Sequence, residues 1–222
     1  MSEHIVTIQS IEPVTHDVKR FRFNKPGDYH FVPGQATDVS INMPGWKDEL
    51  RPFTFTSLNE DSWLEFTIKR YADHKGVTNQ LHQLLPGDQL IVRDVWGAIE
   101  YKGPGYFMAG GAGITPFIAI LRQLKKDGQT SGNTLFFSNK TSADIIYEKE
   151  LKDILQDDTH FILTQENKPG YISSRLDKTF FENNKLDYTK HFYVCGPDPM
   201  INDISLILAG LGASADSVVF EK

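Results

Sequence analysis

The sequence predicts two consecutive domains, an antiparallel β-barrel or sandwich followed by an α/β domain with a mainly parallel sheet. In residues 4–101, short alternating or aromatic runs are separated by Pro-Gly turn signals, which is typical of antiparallel strands. After a linker at 101–105, strand-like and helix-like runs alternate, which is the pattern of βαβ units. A glycine-rich turn at 110–116 joins the first strand of this second part to its first helix.

The N-terminal part contains six strand-like runs and one short helical segment. Pro-Gly pairs favour turns because proline fixes φ and glycine permits positive φ, and four of them punctuate this region. The predicted helix covers about 78–84. The predicted strands lie at 4–11, 18–23, 37–41, 52–56, 63–70 and 89–93.

The C-terminal part reads as five strands alternating with four helices. Its strands are predicted near 106–109, 134–138, 160–164, 191–195 and 217–220. Its helices are predicted near 116–127, 146–155, 173–181 and 198–209. Strands joined through helices form parallel sheets, and ligands bind beyond the carboxyl ends of such strands.

Composition excludes several function classes. The net charge of −6 is shared equally by the two parts of the chain, so binding to nucleic acid or to an anionic membrane is not expected. The single cysteine, Cys195, excludes a cysteine-rich metal site, an iron–sulfur cluster and an internal disulfide within these residues, and no metal site is predicted. No signal pattern and no apolar run of about 18 residues is present, which predicts a cytoplasmic protein.

The glycine turn (110–116) has the sequence Gly-Gly-Ala-Gly-Ile-Thr-Pro. Glycines let a backbone approach a diphosphate, and a helix N-terminus offers unpaired N–H groups to the anion. The spacing ends in Pro116 where the dinucleotide fingerprint has a third glycine, which points away from ordinary dehydrogenases. Thr115 is expected to cap the helix, and Pro116 to occupy its first position. The alternative is a tight strand–helix turn with no ligand.

Three further segments carry candidate chemistry. Arg51 could pair with a phosphate within Arg51-Pro52-Phe53-Thr54-Phe55-Thr56-Ser57, and the alternative is an ordinary strand with a surface arginine. Lys69-Arg70-Tyr71 precedes a possible anion-binding helix start at Gly76-Val77-Thr78, for which the alternative is a plain N-cap. Cys195-Gly196-Pro197 ends a strand in a sharp turn, and the alternative for Cys195 is a buried structural thiol.

These four motifs together resemble the ferredoxin–NADP reductase superfamily in order and in spacing. The resemblance covers essentially the whole chain. It implies a flavin-binding antiparallel β-barrel over 1–102 and an NAD(P)-binding α/β domain over 103–222. It also implies hydride transfer from nicotinamide C4 to flavin N5, followed by release of electrons to an acceptor.

The resemblance assigns roles residue by residue. Arg51 looks like the flavin pyrophosphate ligand, with Pro52 beside it, and Thr54 occupies the position that hydrogen-bonds flavin N5. The strand segment Lys69, Arg70 and Tyr71 matches the lining of the flavin, and Gly76, Val77 and Thr78 match the second pyrophosphate turn. The nucleotide pyrophosphate loop matches Gly110, Gly111, Gly113, Ile114, Thr115 and Pro116, and the segment beside the nicotinamide matches Cys195, Gly196 and Pro197. Thr54, Cys195 and Glu221 are the catalytic candidates.

The sequence departs from the family pattern at two places. Phe53 stands where the family usually has tyrosine beside the flavin, so a hydroxyl is missing there. The chain ends at Phe220-Glu221-Lys222 without the terminal aromatic residue that often covers the flavin.

The cofactors are expected to be FAD and NADP(H). FAD is favoured over FMN because FMN has one phosphate and would not need both Arg51 and the 76–78 turn. Lys140, with Asn139 at the end of a predicted strand, favours NADP(H) over NAD(H), and Asp144 weakens that preference.

The expected acceptor is a small redox carrier such as a ferredoxin or flavodoxin, and Lys19, Arg20 and Arg22 form a candidate docking cluster. The alternatives are a non-catalytic regulatory subunit that binds flavin and nucleotide, and a free-flavin reductase.

Overall fold

A computed structural model describes residues 2–72, 76–97 and 99–220. The chain forms two compact units, Met1–Ala98 and Ile99–Lys222. The domain boundary predicted at 102/103 stays a prediction. In the described part of the chain, no helix is long and apolar enough to cross a bilayer.

The first unit is a six-stranded antiparallel barrel with one short helix, α1 (Val77–Leu81). Its strands follow the order β4-β3-β6-β1-β2-β5, and a bridge between Phe55 and Phe66 connects the two outer strands and closes the sheet. The strands are β1 (His4–Pro13), β2 (Val18–Asn24), β3 (Gln35–Ile41), β4 (Arg51–Thr54), β5 (Trp63–Lys69) and β6 (Gln89–Gly97). The sequence prediction of antiparallel strands is confirmed, and the barrel is the form they take.

Aromatic side chains fill the barrel interior. Phe21, Phe23, Phe55 and Phe66 are completely buried, and the rings of Phe55 and Phe66 lie 5.1 Å apart. The alternation of inward and outward residues along a strand places these rings on one face of the sheet. Val77 and Leu81 of α1 pack into the same core, so the barrel fixes the position of this helix.

The second unit is a six-stranded parallel sheet in the order β10-β9-β8-β7-β11-β12. Its strands are β7 (Gly105–Gly110), β8 (Thr134–Asn139), β9 (Thr159–Leu163), β10 (Ile172–Ser173), β11 (His191–Cys195) and β12 (Val218–Phe220). Its helices are α2 (Thr115–Lys126), α3 (Glu148–Leu155), α4 (Lys178–Asn184) and α5 (Asp198–Gly210). The predicted parallel α/β domain is confirmed.

One helix prediction is wrong at its start. The helix expected from 173 begins at Lys178, and Ile172–Ser173 forms the edge strand β10 instead. The Asp177 carboxylate accepts a hydrogen bond of 3.0 Å from the backbone N–H of Phe180, which caps the helix at that point. A capped N-terminus fixes the first turn, so helical structure does not extend back to 173.

Candidate functional site

The candidate flavin residues of the first unit come from β4, the end of β5 and the start of α1. Phe53 is half-buried and packs against the barrel core, with its ring 6.0 Å from Phe66 of β5. Arg70, just after β5, donates a 3.0 Å hydrogen bond from Nε to Asn79 of α1. The barrel core and this bond therefore bring the three segments together.

Arg51 is well suited to bind an anion. Its side chain is 47% exposed, and its ion pair with Glu49 is long, at 3.8 Å. It also donates a 2.6 Å hydrogen bond to the carbonyl of its neighbour Leu50. A guanidinium whose partners among the described residues are all local retains donors for a phosphate.

The helix start at Gly76 has the geometry expected for a second anion contact. Gly76 is the N-cap of α1, has no side-chain cap, and would meet nothing within 4 Å of an added Cβ. The first N–H groups of any helix have no acceptor inside the helix. Val77 is buried in the core and Thr78 is partly exposed, so the turn offers its backbone and the Thr78 side chain to a ligand.

The remaining residues of this candidate set differ in their surroundings. Thr54 is 6% exposed, whereas Tyr71 is 49% exposed. Lys69 forms a 3.1 Å ion pair with Asp17. This candidate set therefore combines one buried hydroxyl, one lysine in an ion pair and one half-exposed aromatic ring.

In the second unit, the glycine turn and the cysteine loop (195–197) meet at the carboxyl ends of neighbouring strands β7 and β11. A Cβ added to Gly113 would lie 2.4 Å from the carbonyl oxygen of Cys195. A Cβ added to Gly110 would lie 2.4 Å from Sδ of Met200 and 3.0 Å from Pro197. These two glycines are thus needed for contact between protein segments.

Gly111 has a different environment from Gly110 and Gly113. Its φ is +52°, and an added Cβ would meet nothing within 4 Å. Open space above a backbone in the left-handed region is the arrangement that a diphosphate cradle requires. The chain builds the sheet outwards from β7 in two directions. The strand β8, which follows β7 in sequence, lies on one side of it, and β11 lies on the other. Ligands of open α/β sheets bind at such switch points.

The helix after the glycine turn starts differently from the prediction. Residues Gly111–Ile114 form a 3₁₀ turn, and α2 begins at Thr115 with Pro116 as its second residue. Thr115 is not the cap, because its hydroxyl donates to the Ala112 carbonyl at 3.0 Å and the N-cap is Ile114. The expectation that Thr115 caps the helix is therefore wrong, whereas Pro116 lies in the first turn, where its missing N–H costs nothing.

Asn139 and Cys195 are both buried at the strand ends. Asn139 is 6% exposed, and neither atom of its side-chain amide has a hydrogen-bond partner among the described residues. Buried amides without partners are rare in folded proteins, so this group fits a ligand contact. Cys195 is 2% exposed, so its backbone, not its thiol, borders the glycine turn. Glu221, the third catalytic candidate, lies outside the described residues.

The turn after β8 holds charged residues, of which the sequence prediction named Asp144 but not Glu166 or Lys168. The Asp144 carboxylate accepts hydrogen bonds from the backbone N–H and hydroxyl of Thr141, at 2.8 and 2.7 Å. Glu166, from the segment after β9, accepts a 2.6 Å bond from the backbone N–H of Ser142, and this bond lowers the pKa of Glu166. Lys168 donates to the Ser142 hydroxyl at 3.0 Å. Their position after a predicted strand at the same sheet edge was the available signal.

Family models match each of the two compact units of the chain separately. A family model for an oxidoreductase FAD-binding domain matches residues 5–101, and one for an oxidoreductase NAD-binding domain matches residues 107–205.

Curated relatives include NADH-cytochrome b5 reductase 2-A of Vanderwaltozyma polyspora, which is 31% identical over 89% of this chain and 72% of its own length. The reductase component of propane 2-monooxygenase from Rhodococcus jostii is 26% identical, and the match covers 97% of this chain and 62% of that relative. The chain thus spans less than two thirds of the second relative.

Among solved structures, a ferredoxin NADP⁺ reductase from Neisseria gonorrhoeae with bound FAD and NADP has the same fold. Its TM-score is 0.88 at 18% identity, and the match covers 100% of this chain and 98% of that one. The FAD- and NAD-binding domain matches, the relative above 30% identity and the shared fold lead to one conclusion. The chain belongs to the ferredoxin–NADP reductase superfamily of FAD- and NAD-binding oxidoreductases.

Proposed function

We propose that the protein is a reductase that takes a hydride from a nicotinamide nucleotide into bound FAD and passes electrons to a separate acceptor. The observation that carries this proposal is the succession of an FAD-binding and an NAD-binding domain, each with its candidate anion contacts. When bound, FAD supplies the chemistry of accepting a hydride and releasing electrons one at a time. The protein supplies binding, orientation and hydrogen bonds.

In the first domain, Arg51 and the N–H groups at Gly76–Thr78 would hold the two phosphates of FAD. The exposure of Arg51 and its long ion pair with Glu49 support this role. Thr54 would hydrogen-bond N5, and Phe53, Lys69 and Tyr71 would line the ring system. Two separate anion contacts favour FAD over FMN, and mass spectrometry of the released flavin tests that choice.

In the second domain, the glycine turn would hold the nucleotide pyrophosphate. The open space at Gly111 and the unpartnered amide of Asn139 support this assignment. Cys195, Gly196 and Pro197 would lie beside the nicotinamide, with Cys195 acting through its backbone because its thiol is buried.

For the nucleotide, we propose NADH as the better donor. The sequence expectation of NADPH depends on Lys140, which is exposed. The backbone N–H groups of Thr141 and Ser142 are already bonded to the carboxylates of Asp144 and Glu166, which would also repel a 2′-phosphate. Two relatives that carry NADH in their names agree with this choice.

The ratio of kcat/KM for NADH and NADPH tests this choice. Glu166→Gln is expected to raise relative use of NADPH, and Lys140→Ala to lower it. Lys149→Ala, at an exposed lysine of α3, is the matched control and should leave the ratio unchanged. A wild-type protein that uses NADPH better than NADH would contradict the proposal.

For the acceptor, we propose a small one-electron carrier such as a ferredoxin or flavodoxin. Within these 222 residues the single cysteine cannot hold an iron–sulfur cluster, so electrons need an acceptor elsewhere.

The three cations of the candidate docking cluster on β2 already have hydrogen-bond or ion-pair partners within the first unit. Lys19 donates to the His82 carbonyl at 2.8 Å, Arg20 pairs with Glu12, and Arg22 is bonded to Glu65. These cations therefore offer little free charge to a partner.

One anaerobic experiment separates the possible functions. A yellow purified protein whose visible absorbance bleaches with NADH and then reduces a ferredoxin, a flavodoxin or cytochrome b5 supports the proposal and identifies the acceptor. A yellow protein that does not bleach indicates the regulatory alternative. A colourless protein that oxidises NADH only with added FMN indicates a free-flavin reductase.

A further inference from the structure

A short turn between β1 and β2, at residues 14–17, reaches the segment proposed to line the flavin. Asp17 ends this turn, and the first residue of β2, Val18, pairs with Lys69 at the end of β5. The backbone N–H of Arg70 donates a 2.7 Å hydrogen bond to the carbonyl of Asp17. The register and this bond therefore fix Asp17 beside the point where β5 leads into the candidate flavin lining.

The Asp17 side chain has a partner on each carboxylate oxygen. Oδ1 accepts a 3.0 Å hydrogen bond from the hydroxyl of Thr15, within the same turn. Oδ2 lies 3.1 Å from the ammonium nitrogen of Lys69. The imidazole Nε2 of His16 is 3.7 Å from Oδ2, which is too far for a hydrogen bond. The turn thus orients the carboxylate, and Lys69 is the cation in direct contact with it.

This ion pair is partly shielded from water. The side chains of Asp17 and Lys69 are 24% and 25% exposed. Charges in such surroundings interact more strongly than fully solvated charges, because water screens them less. The Lys69 ammonium group is therefore held in one position, and the carboxylate balances its charge there.

We propose that Asp17 is a positioning residue that holds the Lys69 ammonium group at the barrel wall and balances its charge beside the flavin. This inference rests on the proposed function, in which Lys69 lines the ring system of FAD. Asp17 acts through Lys69 and does not touch the cofactor. It changes how readily the bound flavin takes up electrons, and not whether FAD binds.

A charge beside the ring system changes the reduction potential of a flavin. Reduction adds electrons to the ring, so a nearby cation stabilises the reduced form more than the oxidised form. An ion pair has a weaker field than a single ammonium group, because its two charges oppose each other. With Asp17 in place, the reduced flavin is therefore a stronger electron donor, which suits a protein that passes electrons to a separate acceptor.

Asp17→Asn removes the charge of the carboxylate with little change to the turn. The amide oxygen can still accept a hydrogen bond from the Thr15 hydroxyl. The bond from the Arg70 N–H is retained, because it ends on the backbone carbonyl of residue 17. The Lys69 ammonium group loses its counter-charge and can approach the flavin ring.

The test measures the anaerobic equilibrium of the FAD-loaded protein with a reference redox dye. Asp17→Asn is expected to raise the equilibrium constant for flavin reduction about three- to tenfold, which corresponds to roughly 15 to 30 mV for a two-electron couple. The same substitution in a Lys69→Gln background should have little effect, because the cation that Asp17 holds is then absent. The FAD content of Asp17→Asn should equal that of the wild type.

Asp61→Asn is the matched control. Asp61 is another half-buried turn carboxylate of the barrel, and it accepts a 2.8 Å hydrogen bond from the backbone N–H of Leu58. It precedes β5, whose 7 residues span roughly 20 Å, so it lies at the opposite end of that strand from Lys69. Solvent and salt screen a charge at that distance, and the dye equilibrium should not change.

Four results would overturn this inference and leave the reductase proposal standing. They are an unchanged or lowered equilibrium constant in Asp17→Asn, loss of FAD from that variant, and an equal rise in the Lys69→Gln background or in Asp61→Asn. An equal rise without Lys69 would mean that the carboxylate acts directly, and an equal rise in the control would mean that net charge alone explains the shift. A wild-type protein that takes up no FAD would overturn the proposed function, and this inference with it.

Discussion

Gly113→Ala tests whether close packing of the glycine turn on the cysteine loop requires a glycine. The new Cβ would lie 2.4 Å from the carbonyl oxygen of Cys195, 2.5 Å from its carbonyl carbon and 2.6 Å from Cα of Gly196. Ordinary contacts begin near 3.4 Å, so the two segments must separate by about 1 Å. The opposing atoms are backbone, and no side chain can rotate away to relieve the overlap.

The expected loss of folding stability in Gly113→Ala follows from the size of this overlap. Overpacking of a well-packed region destabilises by about 1–3 kcal/mol, and backbone clashes belong at the upper end. For a protein of this size, about 1 kcal/mol lowers Tm by roughly 2–4 °C, so Gly113→Ala should lower Tm by about 5–10 °C.

Gly111→Ala provides the informative comparison. Its Cβ points into open space, and its φ of +52° costs an alanine only about 1–2 kcal/mol. The added methyl would occupy the space proposed for the pyrophosphate. We therefore expect Gly111→Ala to weaken nucleotide binding more than Gly113→Ala does, relative to the loss of stability that each causes.

Thermal unfolding without ligand and calorimetric titration with NAD⁺ measure the two effects. Gly210→Ala, at the end of α5 with nothing within 4 Å of the added Cβ, is a control that should leave Tm unchanged or slightly raised. A Gly113→Ala protein whose Tm stays within about 1 °C of wild type would refute the packing argument.

Three further outcomes are expected. Thr54→Val should slow flavin reduction about fivefold through loss of one hydrogen bond, while FAD stays bound; unchanged single-turnover rates would exclude Thr54. Tyr193→Phe removes a buried hydroxyl that donates to the Gly103 carbonyl at 2.7 Å and accepts from the N–H groups of Lys102 and Gly103, and chemical denaturation should show a loss of about 1–2 kcal/mol. Burial lowers the pKa of His82 from 6.5 despite its bond to the Ile68 carbonyl, so stability should be complete above pH 6.5 and fall as pH drops towards the folded pKa. His82→Gln should flatten that part of the unfolding profile, and an unaltered profile would contradict the assignment.

The fold was largely predictable because its signals are local. Pro-Gly turns mark the barrel strands, and the change from a two-residue to a helical period marks the second domain. The start of α4 was missed because one side-chain contact decides it. The Asp177 carboxylate caps the helix, and the preceding residues pair with β9 as β10.

The candidate site was predictable only in part, because several roles depend on contacts between distant segments. Gly113 looks like a phosphate glycine in the sequence, yet its missing side chain makes room for a carbonyl more than 80 residues away. Glu166 reaches the turn after β8 from the segment after β9. Glu65 lies within a predicted strand but is 1% exposed, and its burial depends on tertiary structure.

The short outer strands of the parallel sheet limit how this protein can associate with other chains. A sheet edge presents unpaired backbone groups that can recruit a strand from another molecule. One edge here is β10, with two residues, and the other is β12, with three. Within residues 2–72 and 76–97, the barrel, closed through Phe55 and Phe66, leaves no long open edge in its own sheet. Strand addition is therefore disfavoured in both domains, and a partner protein would have to bind through side chains.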